Sequence, residues 1–263
     1  MTVLRRNRLR EMIRKDQPTI GTRMISSWPG VMEVIGHSGT INYVEFVSEY
    51  GPYDLYSLDE LARASELFDM STMIKIDAEP RTFIAQRAIG SGIQNVLFAD
   101  IRNAKDAEEA VRAVRAEPKG WNGCSMRRVS GYLLECGTPR FVQYCEEAIV
   151  ALMIEKKNAI EKLEEILSVK GIDMVQFGPC DYSMSIGLPG QTTHHKVKEA
   201  EIKMIKAAQK YNIRPRAEIN SIDQAQKYID LGVRDFNLST DLVIIYQWLK
   251  KNGEGLREIL EKI

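Results

Sequence analysis

Short apolar runs alternate with longer segments of helical periodicity along the whole chain. The apolar runs are bounded by polar and turn-forming residues, which is typical of buried strands. They predict eight strands, near Ile20–Ser26, Tyr43–Ser48, Thr72–Asp77, Gln94–Ala99, Ile149–Ile154, Met174–Phe177, Arg216–Ile219 and Asp235–Ser239. Regular alternation of strands with helices favours a parallel sheet.

The segments between these strands carry apolar or small residues three or four positions apart, which predicts helices. The pattern is found at Leu58, Leu61, Ala62, Ser65 and Leu67; from Ala104 to Val114; at Ile160, Leu163, Ile166 and Leu167; at Ile202, Ile205, Ala208 and Gln209; and at Ala225, Tyr228 and Ile229.

Eight strand–helix units in 263 residues match the usual size of a (β/α)₈ TIM barrel. An open, doubly wound sheet with that many strands is less common. We therefore predict that residues 1–263 form one α/β domain, a single (β/α)₈ barrel. The connection from Glu117 to Gly137 is rich in Gly, Arg and polar residues. We expect it to be an elaborated loop of that domain, folding toward the site or a neighbouring subunit.

The composition narrows the choice of partners. Hydrophobic residues make up 44% of the chain and charged residues 27%, enough for a substantial core, and the 36 basic residues balance the 36 acidic ones. Nothing in that balance favours a nucleic acid or an anionic membrane, so we expect a small-molecule substrate. The basic stretch Leu4–Arg10 is predicted to be a solvated first helix. With neither a membrane span nor a secretory leader, we predict a cytoplasmic protein.

The chain has four cysteines, Cys124, Cys136, Cys145 and Cys180, and none of them forms a C-x-x-C pair. This spacing disfavours structural zinc and a disulfide scaffold. We expect reduced thiols.

Two carboxylates stand at the ends of neighbouring predicted strands, where a barrel carries its chemistry. Glu155 closes the run Ala148–Ile154, and Asp181 follows Met174–Phe177 within the loop Gly178–Gly187. Adjacent strands lie about 4.8 Å apart, so both acids can chelate one Mg²⁺ or Mn²⁺ ion and leave positions open. An open hard cation suits a 2-oxo acid, whose carboxylate and ketone oxygens chelate it, and stabilises the enolate formed from that acid. The alternatives are an ion pair of Glu155 with Lys156 or Lys157, and a capping or turn role for Asp181.

Several motifs accompany these acids. They are Gly21-Thr22 with Trp28; Glu49-Tyr50-Gly51-Pro52-Tyr53-Asp54; Arg81 to Gly92; Met153-Ile154-Glu155; Gly171-Ile172-Asp173 to Gly190; and Leu238-Ser239-Thr240-Asp241-Leu242. Together they resemble the HpcH/HpaI family of class II, metal-dependent pyruvate aldolases, the 4-hydroxy-2-oxoheptanedioate aldolase type. The run Gly178–Gly190 with its upstream glutamate is the most specific part of the resemblance.

The resemblance implies a (β/α)₈ barrel in which Glu155 and Asp181 bind the divalent metal, Mg²⁺ or Mn²⁺ with Co²⁺ as a further option. It also implies that the backbone of Gly178, Pro179, Cys180 and Asp181 binds the pyruvate carboxylate. Such proteins commonly form a homo-oligomer, a hexamer built as a trimer of dimers, with the last helix exchanged between subunits. Here the amphipathic segments Leu242–Leu249 and Leu256–Ile263 either serve that exchange or pack on their own barrel.

The chain departs from the family where protons are moved. The family's Asp-x-Glu-His run, with its Asp/His dyad, is replaced by Val47-Ser48-Glu49-Tyr50, and Lys75 stands at the position of a substrate-binding Arg. The family's Gly-x-Arg-Gly loop is altered as well, to Gly120-Trp121-Asn122-Gly123. The three histidines fall outside the predicted strand ends: His37 in the first helix, and His194 and His195 in a capping or surface position before a later helix. Histidine general-base catalysis is therefore disfavoured.

That leaves Tyr50, Lys75, a metal-bound hydroxide or a group of the substrate to move protons. Tyr50 is either an acid or hydrogen-bond donor or an aromatic wall, and Trp28 is expected to shape the reaction zone. Lys75 is expected to neutralise a substrate carboxylate, with Schiff-base formation as the less favoured alternative. Arg23 and Arg216 either contact anions or pair with Glu218 or Glu45. Cys180 has no nearby histidine, which argues against a nucleophilic thiol.

These residues predict a carbon–carbon lyase, an aldolase that cleaves a 4-hydroxy-2-oxo acid to pyruvate, or a related oxo acid, and an aldehyde through a metal-stabilised enolate. Two alternatives stay open. One is a metal-dependent oxo-acid decarboxylase, isomerase or other C–C lyase on the same barrel. The other is a non-catalytic oligomeric binder of oxo acids.

Overall fold

The computed structural model describes residues 4–263, so residues 1–3 of the predicted domain lie outside it. Eight parallel strands form a closed barrel, each hydrogen-bonded to the next and the last to the first. They are β1 (Thr19–Met24), β2 (Tyr43–Val47), β3 (Ser71–Ile76), β4 (Asn95–Phe98), β5 (Val150–Ile154), β6 (Met174–Phe177), β7 (Arg214–Ile219) and β8 (Asp235–Thr240). The predicted (β/α)₈ barrel is confirmed, and every predicted strand matches an observed one to within two residues at each end.

Helices follow the strands and cover the barrel. They are α1 (Arg8–Arg14), α2 (Pro29–His37), α3 (Leu55–Glu66), α4 (Arg81–Ser91), α5 (Ala104–Val114), α6 (Pro139–Glu147), α7 (Lys157–Glu161), α8 (Leu163–Leu167), α9 (Pro179–Ser185), α10 (His195–Lys210), α11 (Ala225–Ile229) and α12 (Asp241–Leu260), with short 3₁₀ helices at Arg128–Ser130 and Ile222–Gln224. Within residues 4–263, none of the helices is long and apolar enough to cross a membrane.

The strands read as continuous apolar runs because helices cover their outer face and the barrel interior covers the other. Every residue of β2 to β6 is buried. The larger core lies between strands and helices, and a smaller one fills the barrel near the N-terminal ends of the strands.

The first helix closes that N-terminal end of the barrel. Leu9 is fully buried and belongs to the interior core with Tyr43 and Met73. On the same helix, Arg10 donates to both oxygens of Asp173, at 2.5 and 2.8 Å. The prediction of a solvated helix is therefore wrong for α1, because one leucine and one arginine on its inner face anchor it.

The apolar pattern from Ile160 to Leu167 spans two short helices instead of one. Lys162, between α7 and α8, has φ −105° and ψ 23°, outside the helical region. Each helix buries its own apolar side chains: Ala159 and Ile160 in α7, and Leu163, Ile166 and Leu167 in α8. Periodicity alone does not detect such a break, because the apolar spacing continues across it.

The long loop before α6 packs beside the C-terminal end of α4. This is the face of the barrel at the N-terminal ends of the strands, opposite the predicted site. Arg128 donates to the Ser91 carbonyl at 3.1 Å and pairs with Glu66 at 2.8 Å. Of the two alternatives for this loop, folding toward the site is wrong, because these contacts hold it at the other face, and folding toward a neighbouring subunit stays a prediction. The structure contains the four cysteines without a disulfide bond, and the Sγ atoms of Cys124 and Cys136 lie 2.7 Å apart.

The C-terminal segment is one continuous helix, α12, that leaves its apolar side chains uncovered. Only Asp241, at its start, is buried, and its carboxylate accepts hydrogen bonds from the backbone N–H groups of Ile25 and Ser26. Further along, Trp248 is 64% exposed and Leu249 58%. The alternative that this segment packs on its own barrel is therefore wrong. Exchange between subunits stays a prediction.

Candidate active site

A cavity of about 440 Å³ opens at the C-terminal ends of the strands. Nearly all of the predicted site residues line it: Tyr50, Lys75, Glu155, Gly178, Pro179, Cys180 and Asp181. The position agrees with the rule that barrel enzymes carry their chemistry at this face.

Glu155 directly follows β5 and is 2% exposed. One of its oxygens accepts a hydrogen bond from the backbone N–H of Asp100 at 3.0 Å. Asp100 has a left-handed backbone conformation, with φ 55°, that directs its N–H toward this oxygen. Burial raises the pKa of Glu155 to about 7, although the charge of Lys75 acts in the opposite direction. The other oxygen lies so close to Gly178 that a Cβ there would overlap it. Glycine is required at position 178 to admit this carboxylate.

Asp181 lies in the first turn of α9, and Lys156 holds its carboxylate. The Lys156 Nζ atom is 3.3 Å from Asp181 and 2.6 Å from Asp100. Lys156 therefore pairs with Asp100 and Asp181 instead of Glu155. Lys157 pairs with Glu161, at 3.7 Å. The alternative of an ion pair between Glu155 and either lysine is wrong. Asp181 is not the N-cap of α9, because Gly178 has that position.

Lys75, at the end of β3, is buried between two carboxylates. Its ammonium group pairs with Glu49, and its Nζ atom lies 5.0 Å from the centre of the Tyr50 ring. Burial alone lowers the pKa of Lys75, but the charges of Glu155 and Glu49 outweigh it and raise the pKa overall. The side chain is therefore an ammonium ion at neutral pH. A Schiff base needs the neutral amine, so this environment disfavours it.

Tyr50 stands at the rim of the cavity and is 57% exposed. Partial burial raises the pKa of its hydroxyl above the ordinary value, with the Lys75 charge acting against the rise. The phenol therefore keeps its proton at neutral pH. It is equipped to donate a hydrogen bond or a proton, not to accept one as a base.

The charges around Glu155 do not balance. Glu49, Glu155, Asp100 and Asp181 supply four carboxylates, while Lys75 and Lys156 supply two ammonium ions. With Glu155 ionised, two surplus negative charges lie on hard oxygen donors, and these suit a divalent cation. No cluster of three or more His, Cys, Asp or Glu side chains within residues 4–263 could hold a metal ion. A metal ion held by the two predicted ligands, Glu155 and Asp181, would therefore keep coordination positions for substrate and water.

The arginines inside the barrel are paired, as one of the two sequence-based alternatives predicts. Arg23 bonds to Glu218 at 2.5 Å, and Arg216 bonds to Glu45 at 2.5 Å. Gln176 connects the two pairs, accepting from Arg216 at 2.6 Å and donating to Glu218 at 3.1 Å. These residues form a fixed polar floor beneath the cavity.

Trp28 lies outside the cavity, which corrects its predicted role. It precedes α2 at the N-cap position and is 69% exposed. Its ring packs over Gly30, in the first turn of the same helix, where a Cβ would overlap it. That local contact holds the indole away from the reaction zone within this chain.

The three histidines do not line the cavity, and His194 has the capping role that was predicted for it. His194 caps α10 by accepting from the Lys196 N–H at 3.2 Å, and His195 begins that helix. His37 ends α2, so it lies in the first helix after a strand and not in the first helix of the chain.

Two residues of the site, Glu49 and Asp100, received no role from the sequence, and a third, Lys156, was considered only as a partner of Glu155. Their polar character and strand-end position are visible there, but the partner that each one takes is not. Those pairings depend on how three neighbouring loops are placed in space, which the sequence does not show.

Known proteins resemble this chain in sequence and in fold. The model of the family described as HpcH/HpaI aldolase/citrate lyase matches residues 53–244. A hydroxypyruvate/pyruvate aldolase from Roseobacter denitrificans is 25% identical over 91% of this chain and 93% of its own. A pyruvate aldolase from Rhizobium etli is 29% identical over 68% and 72%. The crystal structure of an HpcH/HpaI aldolase from Desulfitobacterium hafniense, 22% identical, has a TM-score of 0.87 over 96% of this chain and 98% of its own, a likeness of fold.

Proposed function

The chain belongs to the HpcH/HpaI aldolase/citrate lyase family and is an enzyme of the aldolase and lyase class, and we propose that it reversibly cleaves a 4-hydroxy-2-oxo acid to pyruvate, or a related oxo acid, and an aldehyde. The observation that carries the proposal is the placement of Glu155 and Asp181 on one cavity at the ends of β5 and β6. The relatives named as pyruvate aldolases support the choice of substrate class.

Glu155 and Asp181 are the proposed ligands of a divalent ion, Mg²⁺ or Mn²⁺ by their preference for oxygen donors, with Co²⁺ as a further option. Such an ion would supply positive charge to the oxygens of the oxo acid as negative charge develops there. The backbone from Gly178 to Asp181 would bind the substrate carboxylate, as the family resemblance implies. Lys156 limits the freedom of the Asp181 carboxylate by holding one of its oxygens.

Lys75 and Tyr50 are the proposed replacements for the family's proton-transfer dyad. The Lys75 ammonium is fixed by Glu49 and contributes positive charge beside the substrate oxygens. The Tyr50 hydroxyl keeps its proton at neutral pH and is placed over Lys75 at the rim. In the addition direction, Tyr50 would deliver that proton to the aldehyde oxygen as the new C–C bond forms. In cleavage, the proton of the 4-hydroxyl would pass to solvent water, as would the methyl proton in the exchange reaction, because Tyr50 keeps its own proton at neutral pH.

The test uses pyruvate in deuterium oxide, with exchange of its methyl protons followed by NMR. We expect the wild type with Mn²⁺ or Mg²⁺ to catalyse exchange and to add pyruvate to an aldehyde. Asp181→Ala should lose both activities together with Mn²⁺ binding in calorimetry, while Glu161→Gln, an exposed residue outside the cavity, should keep all three. An active Asp181→Ala protein that binds no metal overturns the proposal.

The same assay addresses the second candidate, a decarboxylase, isomerase or other C–C lyase. That candidate is motivated by Val47 and Tyr50, which stand where the family has its Asp/His dyad. Exchange without addition to any aldehyde would favour it. Robust addition eliminates it.

We also propose that the enzyme is a homo-oligomer in which α12 docks on a second copy, in keeping with the family's hexameric trimer of dimers. The support is the row of apolar side chains that α12 leaves at least half exposed, among them Tyr246, Trp248 and Leu249. Light scattering should report an oligomer for the wild type and for Lys250→Glu, but a smaller species for Trp248→Glu. A wild type that is monomeric at micromolar concentration overturns this assembly.

A further inference from the structure

The cavity extends past Glu155 and Asp181 toward helices α10 and α11. Its far side is lined by Thr192, by Lys198 and Glu201 of α10, by Asn220 after β7, and by Tyr228 of α11. These five residues are called the α10–α11 arm below. The whole cavity, at about 440 Å³, is much larger than a three-carbon oxo acid needs. The arm therefore offers room for the rest of a longer substrate.

The arm has an organised polar centre. The Glu201 carboxylate accepts a hydrogen bond from the Tyr228 hydroxyl at 2.8 Å and pairs with the Lys198 Nζ atom at 3.1 Å. The Glu201 side chain is only 12% exposed. The Tyr228 hydrogen bond joins α11 to α10 and, with the Lys198 pair within α10, fixes the carboxylate at the edge of the cavity.

The cations that line the cavity are all committed to partners within the protein. Lys198 pairs with Glu201, Arg23 with Glu218, Arg216 with Glu45, and Lys75 with Glu49. Among the lining residues in the described part of the chain, no cation is left to meet a second carboxylate on the substrate. A carboxylate in the arm would also approach the negative charge of Glu201, which is unfavourable at short range.

Hydroxyl groups on the substrate, in contrast, find hydrogen-bond partners in the arm. A hydroxyl both donates and accepts, and the arm offers acceptors at Glu201 and Asn220 and donors at Lys198, Asn220 and Thr192. A site that hydrogen-bonds substrate hydroxyls discriminates against analogues that leave its polar groups without partners.

We propose that the α10–α11 arm binds the aldehyde half of the substrate and selects aldehydes with uncharged hydroxyl groups over aldehydes with a second carboxylate. Glu201 is the residue that sets this preference, because it accepts from hydroxyls and neutralises Lys198. The inference rests on the proposed aldolase function and assigns a substrate class to it.

The test compares two aldehydes in the addition to pyruvate: D-glyceraldehyde, which is uncharged and hydroxylated, and succinic semialdehyde, which carries a carboxylate. The ratio of the two kcat/KM values is measured within one protein, so it is independent of the fraction of folded enzyme. We expect the wild type to favour glyceraldehyde by at least about tenfold. Glu201→Gln frees the Lys198 ammonium and should shift the ratio toward succinic semialdehyde by about tenfold.

Glu199→Gln is the matched control, because it removes a carboxylate from the same helix but does not line the cavity. It should leave the ratio unchanged. A wild type that prefers succinic semialdehyde, or a ratio that Glu201→Gln does not move, overturns the assignment of the arm. A wild type that shows neither pyruvate deuterium exchange nor addition overturns the proposed function together with the inference that rests on it.

Discussion

The Nζ atom of Lys156 lies 3.3 Å from Oδ1 of Asp181, the carboxylate that we propose as a metal ligand. An ammonium ion at this distance competes with a metal for the same negative charge. Lys156→Met should therefore strengthen Mn²⁺ binding by about tenfold, or ~1.4 kcal/mol, as measured by isothermal titration calorimetry.

Lys157→Met is the control for that experiment, since Lys157 pairs with Glu161 and does not line the cavity. It should bind Mn²⁺ like the wild type. Weaker binding by Lys156→Met would show the reverse role, in which the lysine holds Asp181 in its binding orientation.

Glu155→Gln should stabilise the protein in the absence of metal. Burial raises the pKa of Glu155 from 4.5 to about 7, so between these pH values the folded state binds a proton that the unfolded state has lost. Stability of the wild type therefore falls as pH rises through this window, by up to about 3 kcal/mol. Glutamine stays uncharged and avoids that loss.

Urea unfolding with a chelator present, at pH 5 and pH 8, checks this prediction. The gain from Glu155→Gln should be small at pH 5 and large at pH 8, and Mn²⁺ should stabilise the wild type but not the variant. An equal gain at both pH values would mean that the ionisation of Glu155 does not cause the loss.

Lys75→Met should impair catalysis and stability together. The substitution leaves Glu49 and Glu155 without their shared buried cation, which costs on the order of 3 kcal/mol of folding free energy. Pyruvate deuterium exchange should fall by about 100-fold or more. Lys75→Arg keeps the charge and should retain most of the exchange activity.

Lys75 should also fail to form a Schiff base, because it is held as an ammonium ion between two carboxylates. Treatment of the wild type with borohydride in the presence of pyruvate should neither inactivate it nor add mass to the protein. A pyruvate adduct mapped to Lys75 would contradict this assignment and favour covalent catalysis.

Much of the barrel is readable from the sequence because strands buried on both faces leave continuous apolar runs, as in β5 and β6. The positions of Glu155 and Asp181 are readable for a related reason: a carboxylate that ends such a run lies at the active face. The sequence does not show that Lys156 pairs with Asp181 and Asp100 and not with its neighbour Glu155. That pairing depends on the spatial arrangement of three loops. The exposed position of Trp28 likewise follows from its packing on Gly30, a contact that no sequence pattern encodes.

The role of α1 is also hidden from the sequence, where Leu9, Met12 and Ile13 are interspersed with charged residues as in a solvated helix. Leu9 is fully buried at the N-terminal end of the barrel interior. Leu9→Ala should therefore lower the free energy of unfolding by about 2–5 kcal/mol, because it leaves a cavity among side chains that cannot collapse into it. Urea titration measures this as a lower midpoint with an unchanged slope. Arg14→Ala, which removes an exposed ion pair with Glu147 from the same helix, should cost less than about 1 kcal/mol. Equal, small losses for both variants would show that α1 does not contribute to the barrel core.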